Sequence, residues 1–437
     1  MERVAGADTI MIMNRRITTR LLVAGILTGL PLALKAGGMR LPSQDGFATA
    51  RGEAFVATAD NPSAIYYNPA GLAQLEGQNI RSGIYGIYFD PSFQPPSGAI
   101  NGGTTYHTDN HAAAAPQFFY ACSLKDQPWS FGLGIYAPFG GGVKWPQDTG
   151  FRTVGIKSEL TYIRFNPEVA VKIAPGFSFG FGPMINYSKL YTDQGLRPFY
   201  QPPNTNFFRF NGDGWSIGYN VGLLWQPHEK ISFGATFRSA STVTMSGHTR
   251  FEQVPGVIGN TRLPAEADFT FPLNGVVGIS WRPTPKWNLE FDADYTDWSS
   301  FDTVTLHQKE TPPFGVKQDI PITFKWQASW MYEFGVTRYL DDGWQVSAGY
   351  LFSENAVPDA FFTPLVPDQD RHFVSLGIGR KGKRFDVDAA YQFGYGPART
   401  VTGSTPPSSP GLFAGQNGDG TYTFISHAIL ISAGMHF

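Results

Sequence analysis

The 437-residue chain has one cysteine, Cys122, so no intrachain disulfide can form and a disulfide scaffold is excluded. Charge is also scarce. Lys, Arg, Asp and Glu make up 16% of the residues and the net charge is −2, which gives no basis for nucleic-acid binding or for steering a highly charged ligand. No stretch reaches the roughly 20 apolar residues of a membrane-spanning helix. The eight histidines are dispersed, no His/Cys cluster has metal-ligand spacing, and no Gly-x-Ser-x-Gly elbow is present. Neither an enzyme nor a resident metal or cofactor is expected. What the chain does have is 15% aromatic residues and 50 glycines, a mix that suits strands, turns and lipid-facing belts.

The N-terminus carries Arg15, Arg16 and Arg20, then an apolar run from Leu21 to Leu34, then Lys35-Ala36-Gly37-Gly38. That order of charge, short apolar core and small residues is a secretory signal peptide. Residues 1–36 are expected to be removed on export, with cleavage after Ala36, and 1–12 reads as an over-extended start with Met11 or Met13 as initiator.

From residue 78 onward apolar and polar positions alternate, segment after segment. Trp215, Ile217, Tyr219, Val221, Leu223 and Trp225 share one face, against Ser216, Gly218, Asn220 and Gly222. Trp287, Leu289, Phe291, Ala293 and Tyr295 oppose Asn288, Glu290, Asp292 and Asp294. A period of two assigns these sets to opposite faces of a sheet. Apolar faces often begin or end in Trp, Tyr or Phe, and short connections alternate with long ones near 90–113, 146–158, 191–213, 247–266, 299–320, 354–371 and 396–422. That rhythm belongs to outer-membrane barrels, with short periplasmic turns and long outer loops. The reading is all-β: a transmembrane antiparallel β-barrel of about 14 strands over 78–437, closed because unpaired strand edges cannot be satisfied in hydrocarbon. The final strand ends on Phe437, a terminal aromatic of the kind read by barrel-insertion machinery.

Residues 37–77 do not read as strands. They are rich in Ala and Gly, and the two Asn-Pro steps favour compact turns, so this segment reads as a plug, or hatch, inside the barrel. In the third strand, Trp129 to Trp145, the run Pro138-Phe139-Gly140-Gly141-Gly142 removes a ladder donor and weakens pairing, which predicts a kink; the alternative places this run just beyond the strand, in an outer loop. Phe199, Phe207, Phe208 and Phe210, with Tyr200 and later Phe361 and Phe362, read as a hydrophobic capture surface on outer loops. The carboxylates Glu290, Asp292 and Asp294 read as polar lumen residues, solvated or paired with lumen Arg and Lys.

The segment from Gly46 to Leu72, ending in Asn68-Pro69-Ala70, and the run Val366-Pro367-Asp368-Gln369-Asp370-Arg371 resemble the long-chain fatty-acid transporters of the FadL type, which include transporters of toluene-like hydrocarbons. The likeness extends to Phe177-Ser178-Phe179-Gly180, Trp215 to Trp225 and Tyr295 to Ser299. It implies a fourteen-stranded barrel in the outer membrane of a Gram-negative bacterium, an N-terminal hatch, and a kinked third strand that opens the wall beside Asn68-Pro69-Ala70. Hydrophobic cargo, fatty acid or hydrocarbon, would leave sideways into the membrane lipid and avoid the polar layer of lipopolysaccharide. Lys317 falls where the family has a lysine. The family arginine after the fifth strand has no direct match: Gln194 falls near it and Arg197 is the nearest arginine, which shifts weight towards uncharged aromatic hydrocarbons. Arg371, Asp368 and Asp370 read as a structural ion-pair network. The expected state is a monomer; a structural or adhesive barrel and a general porin are the other readings.

Overall fold

The computed structural model describes residues 39–99, 101–196, 206–253, 261–312, 316–405 and 415–437. The expected signal peptide, 1–36, lies outside them, as do Arg197, Phe199 and Tyr200.

Fourteen antiparallel strands form a closed wall. In chain order they are β1 (Gln78–Gln94), β2 (Ala112–Ser123), β3 (Trp129–Tyr136 and Gly141–Lys144), β4 (Lys157–Ala174), β5 (Phe177–Gly195), β6 (Phe207–His228) and β7 (Ile231–Arg238 and Ser241–Glu252). There follow β8 (Thr261–Phe271 and Asn274–Trp281), β9 (Trp287–Thr296 and Thr303–Gln308), β10 (Asp319–Thr323 and Ser329–Tyr339), β11 (Trp344–Ser353), β12 (Arg371–Lys381), β13 (Phe385–Val401) and β14 (Gly420–His436). β1 pairs with β14 from Asn79↔His436 to Gln94↔Thr421, so the sheet has no free edge there. Closure removes the unpaired N–H and C=O groups that hydrocarbon cannot solvate.

The alternation read from the sequence holds residue by residue. On β6, Trp215, Ile217, Tyr219, Leu223 and Trp225 face outward and are exposed, while Asn220, Gly222 and Leu224 point inward and are buried. Ten residues of strand tilted by about 40° climb roughly 26 Å, close to the ~25 Å height of the apolar band of such barrels. The two tryptophans therefore stand at the two interfaces.

Three loop assignments need correction. Parts of 191–213, 247–266 and 299–320 are strand (191–195 and 207–213, 247–252 and 261–266, 303–308 and 319–320), because β5 to β9 run on well beyond the membrane-facing band. Phe208 and Phe210 alternate inward against outward Phe207 and Arg209, continuing the period of β6, so these phenylalanines belong to the wall and not to a loop.

Inside the wall, residues 39–77 fold into two short helices, α1 (Gly46–Ala50) and α2 (Ala64–Tyr67), and a 3₁₀ turn, Pro69–Gln74. Asp45 caps α1 by accepting from the Phe47 and Ala48 N–H groups. The hatch backbone presses directly on wall glycines. A Cβ at Gly349 would lie 2.0 Å from the Arg51 carbonyl carbon, and one at Gly222 would lie 2.2 Å from Asn68 Oδ1. Glycine is the residue that permits such close approach.

Candidate functional site: a broken strand and two apolar cavities

The third strand is interrupted over residues 137–140. Below the interruption Tyr136 pairs with Arg164, and above it Gly141 pairs with Leu160. Five residues of β3 thus span four of β4, leaving one in excess, the count of a bulge. On its other side β3 pairs with β2 only from Ser123↔Ser130 to Phe118↔Ile135. The stretch 112–117 of β2 has no partner on that side among the described residues, although its far side is fully paired with β1. The wall therefore has a gap. It is framed at the loop end by Asp109 N–H donating to Lys144 O (2.7 Å), with the Lys144–Asp109 ion pair (2.6 Å) alongside.

The predicted kink residues straddle this break. Pro138, Phe139 and Gly140 lie in it; Gly141 and Gly142 already belong to the resumed strand. The displaced backbone is satisfied from inside. Leu41 N–H donates to Pro138 O (2.9 Å), Gly140 N–H to Met39 O (2.8 Å), and Gln44 Nε2 to Ala137 O (3.0 Å). Asn68-Pro69-Ala70 docks elsewhere. Asn68 Nδ2 donates to Val56 O (2.8 Å) and to Leu223 O on β6 (2.9 Å), and Ser178 Oγ on β5 donates to Ala70 O (3.0 Å). The motif braces the hatch on β5 and β6, and the break is met by residues 39–44.

The lumen carboxylates are neither solvated nor idle. Asp292 accepts from the Phe55 and Val56 N–H groups, both at 2.8 Å, and Glu290 from Ala57 (2.7 Å) and Thr58 (3.1 Å). Arg51 pairs with Glu290 (3.0 Å), and Arg40 donates to Asp294 Oδ1 (2.6 Å). Arg81 on β1 bridges Asp45 of the hatch and Asp388 of β13. The inward face of β9 is thus a docking strip for the hatch.

Towards the long-loop end the lumen changes character. A cavity of about 120 Å³ is walled by Phe208, Phe210, Phe301, Phe324, Trp326 and Leu306, among other residues, and no charged side chain lines it among the described residues. Against the wall break lies a second cavity of about 50 Å³, touching Gly141, Val143, Leu160, Phe424 and Arg371. Met39, Ser158, Leu190, Leu365 and Val366 line both, so these five form the partition between them.

Arg371 is buried over the Phe424 ring (4.4 Å), 3.5 Å from Asp368, and donates from Nη2 to Pro367 O (2.9 Å). Its Nε has no acceptor among the described residues. Asp370 instead accepts from Asn355 N–H (2.8 Å), so the expected three-residue network is only the Arg371–Asp368 pair. Lys317 is exposed and lines neither cavity; its carbonyl accepts from Gln308 Nε2 (3.2 Å). Phe207 lies outside the cavity, under Arg209 (4.6 Å), and Phe362 is buried against Tyr422 (4.6 Å). Sequence reasoning missed Met39, Val143, Phe301, Phe324 and Trp326. The dense aromatics between 298 and 326 were the one available signal.

The closed antiparallel barrel agrees with the comparisons. The model of a family described as "Outer membrane protein transport protein (OMPP1/FadL/TodX)" matches residues 32–434. The chain belongs to this family. It is 23% identical over 375 residues to the long-chain fatty acid transport protein of Escherichia coli O6:H1, covering 77% of this chain and 82% of that one. The fold is similar to the crystal structure of a Pseudomonas aeruginosa FadL homologue, with a TM-score of 0.79, 20% identity, and coverage of 92% and 100%. It is also similar to the Ralstonia pickettii toluene transporter TbuX, with a TM-score of 0.66, 16% identity, and coverage of 90% and 98%. This FadL/TodX-family chain is a Gram-negative outer-membrane protein. The family consists of transport proteins.

Proposed function

We propose that the protein carries hydrophobic small molecules passively across the outer membrane, from the long-loop end of the lumen, past the Met39 partition, and out through the gap in β3 into the bilayer. The observation that supports this reading is the adjacency of two apolar cavities to the unpaired stretch of wall between β2 and β3, with Met39 and Val366 common to both cavities. A cavity of about 120 Å³ is similar in size to the ~150 Å³ apolar cavity known to take up benzene. A longer chain would need the partition to move. Leaving sideways keeps an apolar solute out of water and away from the polar lipopolysaccharide layer, so no step along the route requires solvating it.

Fatty acids and related hydrocarbons are both candidate cargo, matching what the relatives are named for. For a carboxylate we assign the contact to Arg371 in place of the exposed Lys317, Arg197 lying outside the described residues: Arg371 lines the cavity at the gap, and a buried guanidinium whose Nε has no acceptor among the described residues is a strong charge-assisted partner. The gate is assigned to residues 39–44, with Asn68-Pro69-Ala70 as its brace. The protein is read as acting as a single copy, inserted by way of its Phe437 end.

The test is to fill the gap cavity. Val143→Trp is expected to slow uptake of labelled oleate and toluene by cells at least tenfold, while the barrel still assembles and keeps its heat-modifiable mobility on gels. Uptake at the wild-type rate in that variant would remove the lateral route.

A further inference from the structure

The outer cavity holds one polar group that its apolar walls do not explain. Trp326 is 3% exposed, it is one of the residues that line the cavity, and its Nε1–H has no acceptor among the described residues. Trp145, buried in the same apolar cluster, shows the ordinary arrangement: its Nε1–H donates to Pro364 O at 2.8 Å. Buried indole N–H groups usually find a partner, and a donor left without one keeps its full desolvation penalty. Trp326 cannot easily turn to seek one. Its ring is packed against Trp298 (5.3 Å), Phe301 (5.0 Å) and Phe324 (5.9 Å), and its backbone N–H is tied to Phe301 O at 3.2 Å.

We infer that Trp326 determines specificity: its N–H donates to cargo, so the outer cavity selects apolar molecules bearing a hydrogen-bond acceptor, such as a carbonyl, ester or hydroxyl oxygen, over plain hydrocarbons of the same shape. The inference rests on the uptake reading above and narrows it to a class of cargo. A hydrocarbon fills the cavity and leaves the donor unmet; a ketone or ester fills it and meets the donor. A site built to hydrogen-bond an oxygen discriminates against the analogue that lacks it, because the unmet group is the site's own. The second cavity repeats the pattern with a charged donor, the free Arg371 Nε. Cargo crossing the Met39 partition would pass its acceptor end from a neutral donor to a cationic one. Ser158, Thr192, Gln194 and Thr363 also line the outer cavity; Gln194 Nε2 donates to Thr153 O, and the hydroxyls of the other three are the competing donors.

The experiment compares two ligands of nearly equal shape, acetophenone and ethylbenzene, by equilibrium binding to the purified full chain in nanodiscs, with empty nanodiscs subtracted. In Trp326→Phe the ring is kept in part and the donor lost. Acetophenone affinity is expected to fall about five- to tenfold, the worth of one hydrogen bond, and that of ethylbenzene less than twofold. Trp326→Leu should show the same contrast if the phenylalanine variant assembles poorly. An equal change for both ligands, or none for either, overturns the inference. So does a selective loss in Ser158→Ala, Thr192→Val or Thr363→Val with Trp326→Phe silent. Binding of neither ligand by the wild-type protein overturns the uptake reading itself, and the inference with it.

Discussion

On β9 the segment Trp287–Thr296 turns Asn288, Glu290, Asp292 and Asp294 inward, and the three carboxylates among them meet an arginine or a backbone N–H of the hatch. Further up the same strand, Val304 and Leu306 point inward, and what they meet is a cavity walled by phenylalanine and tryptophan. One strand thus lines two kinds of interior. The lower half is polar, rich in buried ion pairs and close-packed, as the wall glycines under Arg51 and Asn68 attest. The upper half is apolar and hollow; donors without an acceptor among the described residues occur in both halves, Arg51 Nε below and Trp326 Nε1 above, but Trp326 and Arg371 adjoin the two apolar cavities. Paired charges fix a part in one place, because breaking a buried pair leaves an uncompensated charge. Unpaired donors beside a cavity are what a transient occupant can use. The comparison assigns closure to the lower half and recognition to the upper.

The largest expected effect comes from converting the lower half into something like the upper. Glu290→Ala removes the acceptor of Arg51, Ala57 and Thr58 together. Stranding a buried partner in this way costs about 3–5 kcal/mol. The hatch should loosen, and small-ion conductance of the barrel in planar bilayers should rise tenfold or more while the fold of the wall persists. Wild-type conductance in this variant would mean that the docking strip does not hold the hatch, and the division of labour would fail.

This division was only partly legible in the sequence. The wall was legible because a period of two is local information: Trp215 to Trp225 states which residues face lipid without reference to any other strand. The break was legible for a similar reason, since Pro138 and the glycines after it spoil pairing wherever they are placed. The cavities were not. Met39, Leu190, Trp326 and Leu365 lie far apart in the chain and converge only once the barrel closes. Phe208 and Phe210 sit in what the rhythm of short and long connections marks as an outer loop, whereas β5 and β6 stay paired through this stretch. The carboxylates of β9 were seen as lumen residues, but pairing them with backbone N–H groups of residues 55–58 requires knowing where the hatch sits.

A smaller effect should come from one titratable group within the hatch. Glu53 is buried, and burial pushes its carboxyl up to about 7, against the hydrogen bonds it accepts from Tyr67 (2.7 Å) and Ser43 (2.8 Å). The docked hatch therefore holds a proton that a released hatch gives up above the ordinary value of about 4.5. Between those values the docked state binds more protons, so docking weakens as pH rises from about 4.5 to 7 and levels off above that. A shift of this size corresponds to roughly 3 kcal/mol. Ser43 adjoins Gln44, which bonds to the break, so the change should reach the gate. Conductance is expected to be higher at pH 8 than at pH 5, and Glu53→Gln should flatten the difference. A slope that survives the substitution would place the titrating group elsewhere.

The smallest effect sharpens the upper half, where the issue is whether the Arg371 guanidinium, paired with Asp368 but with its Nε unmet among the described residues, reads cargo or merely packs. Arg371→Gln keeps a planar polar group over Phe424 but removes the charge. If Arg371 contacts a carboxylate, oleate uptake should fall about tenfold, the lower end of what a hydrogen bond to a charged group contributes, and toluene uptake should change less than twofold. Arg371→Lys should recover part of the oleate rate, because a point charge remains, but not all of it, because the planar fork is lost. A packing role makes a different pattern: both substrates slow together, lysine rescues neither, and the loss follows the emptied space over Phe424, not the missing charge. Oleate and toluene measured side by side in the same two variants separate these outcomes, since toluene has no group to which the charge could matter.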